Sequence, residues 1–386
     1  MERGQRRLAG IDVLRGIAIF FVLMNHVNIR LLQNKVPYMN GIARPLIGAL
    51  VWNGQNGVQI FFAVSGFLIT SMSLRRWGNL SQVRVRDFYR LRFARIAPLL
   101  LLLLAVLSAL HLAGVNLFVV NPARTTLGRA LLAALTFHIN VLEAHKGYLP
   151  PSWDILWSLS VEEVFYFGFP LACLMLGRGK WLVALLAGFV VVGPFARTVL
   201  AYNEVWREYS YLGGMDAIAL GCLTALFLNS RTLTPRTLRV LQGLGSLLII
   251  FVLGFALVSR DLGLEKTGLD MTILAVGTCM VIAASAQIGS GASTVLGPLR
   301  WLGQRSYEVY LTHVFVVIAL LNIFIAAGKP LGGVPLYFVG TVIFAGLLGE
   351  IVARFFSEPF NRYLREGRAA AIAAGPTSSA GLRDPV

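Results

Sequence analysis

Residues 11–32 read IDVLRGIAIFFVLMNHVNIRLL, an apolar run long enough to cross a bilayer as one helix. The ionisable side chains that interrupt it include Asp12, Arg15 and His26. A charged group near the middle of a membrane helix costs about 2.5–3.5 kcal/mol on insertion scales, so it needs a polar neighbour or a polar passage. The run therefore predicts a membrane helix with a functional polar face.

Similar apolar runs recur along all 386 residues, of which 56% are hydrophobic and only 13% charged. A soluble domain carries about 25% charged residues. We therefore expect an all-α, polytopic membrane protein with ten spanning helices. The candidate spans are 11–32, 46–74, 92–114, 158–177, 181–200, 213–228, 240–258, 269–288, 306–327 and 334–356.

The start of the chain could be mistaken for a signal peptide, because a basic segment precedes its first apolar run. That run contains Asp12 and Arg15, and no small-residue cleavage pattern follows it. We therefore interpret it as a retained first span. Residues 1–368 are expected to form one membrane domain, and 369–386, rich in Ala, Gly, Ser and Pro, a disordered tail.

The net charge of +16 does not indicate a nucleic-acid partner, because the basic residues lie mainly in short segments between apolar runs. With both termini on the cytoplasmic side and ten spans, 22 of the 34 Lys and Arg lie inside and 10 outside, and Arg15 and Arg197 lie within spans. Segment 129–142 is apolar but short. If it crossed, the basic tail would face outward, so we expect a re-entrant or interfacial element.

The polar residues of the first span share one face of the helix. At ~100° per residue, Arg15 and His26 differ by only ~20° in direction and lie ~16 Å apart along the axis. Asp12 lies one turn before Arg15. Taken alone, Asp12 and Arg15 could simply pair at the interface, and His26 could bond a backbone carbonyl.

Six motifs in order make the chain resemble the acyltransferase-3 family. The first is Asp12-Val-Leu-Arg15-Gly16 with His26, and the most distinctive is Trp157-Ser-Leu-Ser-Val-Glu162-Glu163. The others are Gly57 to Ile69, the basic set Phe88, Arg92, Arg95, Ile96 and Pro98, the late set Trp301, Gly303, Ser306, Tyr307, Tyr310 and His313, and Glu358-Pro359. They extend over roughly residues 10–360.

The resemblance implies a membrane enzyme that moves an acyl group, acetyl by default, from acyl-CoA to a hydroxyl of a cell-surface carbohydrate. It assigns His26 as the general base, a role that suits imidazole near neutral pH. Glu162 and Glu163 would orient this imidazole or bind acceptor hydroxyls. Because neighbouring helical residues differ by ~100°, we expect one of them, Glu162, to face the site.

The donor side is assigned to three arginines. Arg92 and Arg95 would hold the CoA phosphates from the cytoplasm, with Arg15 deeper on the same path. The sequence departs from the family pattern at Leu91, where another arginine often stands, and at Gly214, where the usual partner of Asp216 is missing.

Further channel-lining or substrate-binding candidates are Asp12, Trp157, Tyr307 and His313. We expect no bound cofactor and no metal, since the three cysteines form no metal-ligand spacing. Direct attack by the acceptor and a relayed acyl-enzyme both remain open. A transporter or flippase using the same polar residues is the alternative from another class.

Overall fold

The computed structural model describes residues 2–41, 43–177, 180–288 and 295–366. The tail assigned to 369–386 lies outside these residues. Within them the secondary structure is helical throughout. The helices are α1 (Glu2–Gln33), α2 (Arg44–Val51), α3 (Gly54–Trp77), α4 (Val85–Leu112), α5 (Leu127–Leu135), α6 (Ile139–Lys146), α7 (Pro151–Asp154), α8 (Leu156–Leu176), α9 (Lys180–Arg197), α10 (Glu204–Tyr209), α11 (Tyr211–Ser230), α12 (Pro235–Gly254), α13 (Ala256–Asp261), α14 (Leu264–Thr267), α15 (Leu269–Ile288), α16 (Gly297–Gln304), α17 (Ser306–Ala326), α18 (Val334–Val352) and α19 (Glu358–Glu366).

Ten helical segments of the described chain are long and apolar enough to cross a bilayer, which confirms the expected fold class. The predicted span 46–74 is divided, because α2 ends at Val51 and α3 begins at Gly54. The fourth helix begins at Val85 and not at 92, so the basic segment expected in a loop forms its first turns. We call the end of the bundle where α1 begins the near end, and the opposite end the far end.

Segment 129–142 does not form a spanning helix. It is divided between α5 and α6, which are nine and eight residues long. Between them the backbone of Phe137 has φ of 56°, a left-handed conformation that interrupts the helix. The expectation of a short element that does not cross is consistent with this break.

One carboxyl anchors the α6 region to the rest of the bundle. Glu143 is completely buried, and one of its oxygens accepts a hydrogen bond from the backbone N–H of Leu149 at 2.9 Å. Burial raises the pKa of Glu143 well above its ordinary value, and the nearby carboxyl of Asp154 adds to this shift. This shift favours the protonated form of the Glu143 carboxyl.

Small residues let the helix backbones of the core approach closely. A Cβ atom on Gly66 in α3 would collide with the carbonyl oxygen of Ile218 in α11, and one on Gly16 in α1 with that of Leu299 in α16. On α16, a side chain at Gly303 would meet the carbonyl of Asp12. These contacts place α3 and α16 directly beside their partners, as is common in membrane bundles.

We predict that Gly66→Ala destabilises the protein by about 1–3 kcal/mol, because the added methyl overpacks a backbone contact. The matched control is Gly168→Ala in α8, where nothing lies within 4 Å of the new atom. The control should be neutral or slightly stabilised through its helix propensity. Thermal unfolding in detergent measures both, and equal melting temperatures for the two variants would contradict the predicted packing.

We predict that Glu143→Gln stabilises the protein increasingly as the pH rises from 5 to 8. The folded state binds the Glu143 proton more tightly than the unfolded chain does. This contribution to stability is therefore complete at acid pH and is lost above the ordinary glutamate pKa of about 4.3. Gln cannot ionise, so the melting-temperature difference from wild type should grow with pH. The exposed Glu265→Gln control should show no such trend, and a constant difference for Glu143→Gln would contradict the interpretation.

Candidate active site

The central cavity lies in the near half of the bundle, between α1, α3, α4, α8 and α17, and has a volume of about 140 Å³. Its wall contains three guanidinium groups and one carboxyl: Arg15, Arg92, Arg95 and Glu162. The structure thus brings together the three arginines assigned to the donor. Two of them are three residues apart on α4, so they lie on one face of that helix.

Arg92 is held against an aromatic ring. Its guanidinium carbon lies 3.8 Å from the centroid of the Tyr166 ring, which is cation–π geometry. The Tyr166 hydroxyl is hydrogen-bonded to Ser65, and both of these residues line the central cavity. The Nε of Arg92 is buried with no hydrogen-bond partner among the described residues, so its hydrogen-bonding capacity is not used up by protein.

The two neighbouring glutamates face different spaces. Glu162 lines the central cavity, whereas Glu163 lines a lateral cavity of about 320 Å³ between α4, α5 and α8. Arg92 and Tyr166 belong to both walls and separate the two cavities. Of the pair, Glu162 is therefore the carboxyl placed to act beside the arginines.

His26 lies further along α1 and makes an edge-to-face contact with His313 of α17, with ring centroids 4.8 Å apart. The Nδ1 of His313 donates to the carbonyl oxygen of Tyr310 at 2.7 Å. Because a carbonyl can only accept, the other ring nitrogen of a neutral His313 carries a lone pair, and it is buried without a partner among the described residues. His313 is thus placed behind His26.

Neither imidazole is among the described residues that line the central cavity, although Arg15 is. A continuous polar passage from Arg15 to His26 is therefore interrupted in this conformation. Tyr310 lies at the interruption, since it lines the cavity and its ring centroid is 5.9 Å from that of His313. Its hydroxyl donates to the carbonyl oxygen of Ile155 at 3.0 Å and contacts the Ser158 hydroxyl at 2.7 Å.

Comparison with known proteins follows this geometry. A family model described as an acyltransferase domain, that of acyltransferase-3, matches residues 8–350. The chain belongs to the acyltransferase-3 family.

Two bacterial relatives extend the match. The O-acetyltransferase OatA of Staphylococcus aureus is 24% identical over 374 residues, and the putative peptidoglycan O-acetyltransferase YrhL of Bacillus subtilis is 28% identical over 379. Each alignment covers 92% of this chain but only 58% and 55% of the relative, so the chain spans a little over half their length. No solved structure showed significant similarity.

The remaining predicted site residues divide into two groups. Tyr307 lines the central cavity and donates to the carbonyl oxygen of Ile96 at 3.0 Å. Asp12 pairs with Arg15 at 3.4 Å but does not line that cavity. Trp157 does not line the central cavity, and its buried ring stacks on Tyr209 with centroids 4.2 Å apart.

Asp216 has a charged partner that the sequence pattern did not reveal. In place of an arginine at position 214, Arg197 of α9 donates to Asp216 Oδ2 at 2.8 Å. Gln59 and Thr272 complete the hydrogen bonds to the same carboxylate at 2.9 and 2.6 Å. The fully bonded network joins α3, α9, α11 and α15, so we assign it a structural role.

We predict that Glu162→Gln lowers the rate of acyl transfer by about 10²-fold or more, because the substitution removes the carboxylate charge that lines the central cavity with the three arginines. The adjacent Glu163→Gln is the matched variant and should reduce the rate less than tenfold, because it faces the lateral cavity. Transfer of radiolabelled acetyl in membranes containing equal amounts of each protein measures both. A larger loss at Glu163 than at Glu162 would show that the central cavity is not the reaction site.

Proposed function

We propose that this protein is a bacterial inner-membrane O-acyltransferase that moves an acyl group, acetyl by default, from cytoplasmic acyl-CoA to a carbohydrate hydroxyl. The observation that carries the proposal is the convergence of Arg15, Arg92 and Arg95 on one cavity that also contains Glu162. The membership of the acyltransferase-3 family favours transfer over the transporter alternative. The relatives' printed names support O-acetylation and, for YrhL, a peptidoglycan acceptor.

The near end faces the cytoplasm in this proposal. This orientation places 22 Lys and Arg on the cytoplasmic side against 10 on the other, as the positive-inside rule requires. Both termini are then cytoplasmic, and the far end faces outward. Donor therefore enters at the end where the arginines lie.

Electrostatic attraction between the arginines and the phosphates of the donor holds the donor in place. Coenzyme A carries phosphates, and guanidinium groups bind phosphate through paired, charge-assisted hydrogen bonds. The exposed Arg95 is placed to meet a phosphate first, and Arg15 and Arg92 lie deeper along the same wall. The pantetheine arm then extends toward Tyr310 and the imidazole pair.

The acceptor hydroxyl attacks the thioester carbonyl directly. Its oxygen forms the new ester bond, the carbon–sulfur bond breaks, and the hydroxyl proton passes to His26 and from there to the leaving thiolate. For the reacting carbon to reach His26, the Tyr310 and Phe61 rings, whose centroids are 6.2 Å apart, must separate. No bound cofactor is needed, since acyl-CoA is a substrate.

We predict that His26→Ala lowers acetyl transfer from acetyl-CoA by about 10²–10⁴-fold, the usual contribution of a general base. Binding of acetyl-CoA should remain within twofold of wild type, because the donor arginines are untouched. The control is His145→Ala, an exposed histidine of α6, which should transfer normally. The assay follows radiolabelled acetyl from acetyl-CoA to membrane glycans, and intact transfer by His26→Ala would remove His26 from the mechanism.

A further inference from the structure

Arg30 of α1 is a buried cation that forms no ion pair with any described residue. The residue is 8% exposed, and its Nε is buried with no hydrogen-bond partner among the described residues. Arg30 belongs to none of the ion pairs within the described residues, whose pairs extend to 3.9 Å. Burying an unpaired charge is costly, so such a group indicates a ligand that completes it.

The position of Arg30 relates it to the proposed base. It follows His26 by four residues on the same helix, which places it ~40° away in direction and ~6 Å further toward the far end. A molecule about the size of one sugar ring that touches Arg30 can therefore also reach His26. Arg30 lies on the side from which the acceptor enters in the proposed orientation.

One member of a carboxyl pair acts electrostatically on Arg30. Asp154 of α7 is the acid whose charge attracts Arg30 most strongly, and it also approaches Glu143 of α6. The hydroxyl of Tyr209 donates to Asp154 Oδ1 at 3.2 Å. Asp154 is half-buried, so part of its surface stays accessible, whereas Glu143 is completely buried.

Further polar atoms beside this pair are also unused. The free oxygen of Glu143, the indole nitrogen of Trp153 and the hydroxyl of Ser152 are buried without hydrogen-bond partners among the described residues. Ser152 and Trp153 directly precede Asp154 in α7. Donors and acceptors thus occur together around one charged pair, which is the chemistry that a polyhydroxylated ligand requires.

From this arrangement we propose that Arg30 and Asp154 form the acceptor-binding subsite and recognise the hydroxyls of an uncharged sugar ring. The guanidinium donates to sugar oxygens, and the Asp154 carboxylate accepts from sugar hydroxyls, so that another hydroxyl of the ring is presented to His26. This inference rests on the proposed function, since it names the part of the protein that holds the acceptor.

The charge balance favours a neutral ligand over an anionic one. Burial raises the pKa of Glu143, which favours the uncharged form of this carboxyl. Arg30 and Asp154 then cancel each other. An anionic ligand would meet one attractive and one repulsive group, whereas hydroxyls bond equally well to both.

The test uses the full chain, purified in detergent and also present in membranes. The variants are Arg30→Gln and Asp154→Asn, with Lys35→Gln as a control that removes an exposed charge near the same end of α1. One arm measures the rise in melting temperature caused by a neutral N-acetylglucosamine oligosaccharide, compared with a uronic-acid oligosaccharide. The second arm measures acetyl transfer to membrane glycan and binding of acetyl-CoA.

We expect the neutral oligosaccharide to raise the melting temperature of wild type and Lys35→Gln but not of the two subsite variants. Transfer to glycan should fall at least tenfold in both subsite variants, with acetyl-CoA binding within twofold of wild type. Absence of a shift in wild type, a stronger shift with the uronic acid, or normal transfer by Arg30→Gln would each overturn the subsite. A sugar-dependent shift without any transfer from acetyl-CoA would instead overturn the proposed function and leave the subsite standing.

Discussion

The charged face of α1 must be covered by protein, because hydrocarbon provides no hydrogen-bond partner for it. Arg15, His26 and Arg30 all lie within ~60° of one another on this helix. The bundle meets the requirement by placing α3, α15, α16 and α17 around α1. Glycines at positions 16 and 303 remove the side chains that would hold α16 away from α1.

Protein can cover a buried charge without bonding all of its polar atoms. In this bundle, fully bonded charged groups stabilise the fold, and incompletely bonded ones are candidates for function. Asp216 is fully satisfied by Arg197, Gln59 and Thr272, and such a network stabilises the fold without exposing chemistry. Arg92 and Arg30 each retain a buried nitrogen with no hydrogen-bond partner in the part of the chain that the structure describes. Folding does not offset the cost of burying these two nitrogens, so a ligand that accepts hydrogen bonds from them can gain this free energy on binding.

The incompletely bonded groups occur at two depths in the bundle, and other side chains separate the two depths. The central cavity collects cations toward the near end, and Arg30 with Asp154 lies toward the far end. Between them stand Tyr310 and the contact of His26 with His313. The proposed reaction, with donor from one side of the membrane and acceptor from the other, needs such a division, because an open passage would also let ions and water cross.

Hydropathy and charge were sufficient to predict ten spans and the all-α class, since the length of an apolar run is set by the bilayer and not by packing. The ordered motifs identified Arg15, Arg92, Arg95 and Glu162 as candidates, and these converge on one cavity. For the short segment 129–142, the sequence offered only an argument from the orientation of the segments that follow it. The helix break at Phe137 depends on the backbone conformation of that residue, which the structure shows.

Contacts between distant helices were decided by the tertiary structure alone. The partner of Asp216 comes from α9, and the stacking partner of Trp157 comes from α10. The sequence places Arg30 near the end of the first span, and only the packed bundle shows that it is buried and forms no ion pair with a described residue. Helical periodicity assigns a residue to a face of its own helix, but which neighbour covers that face is determined by how all the helices pack together.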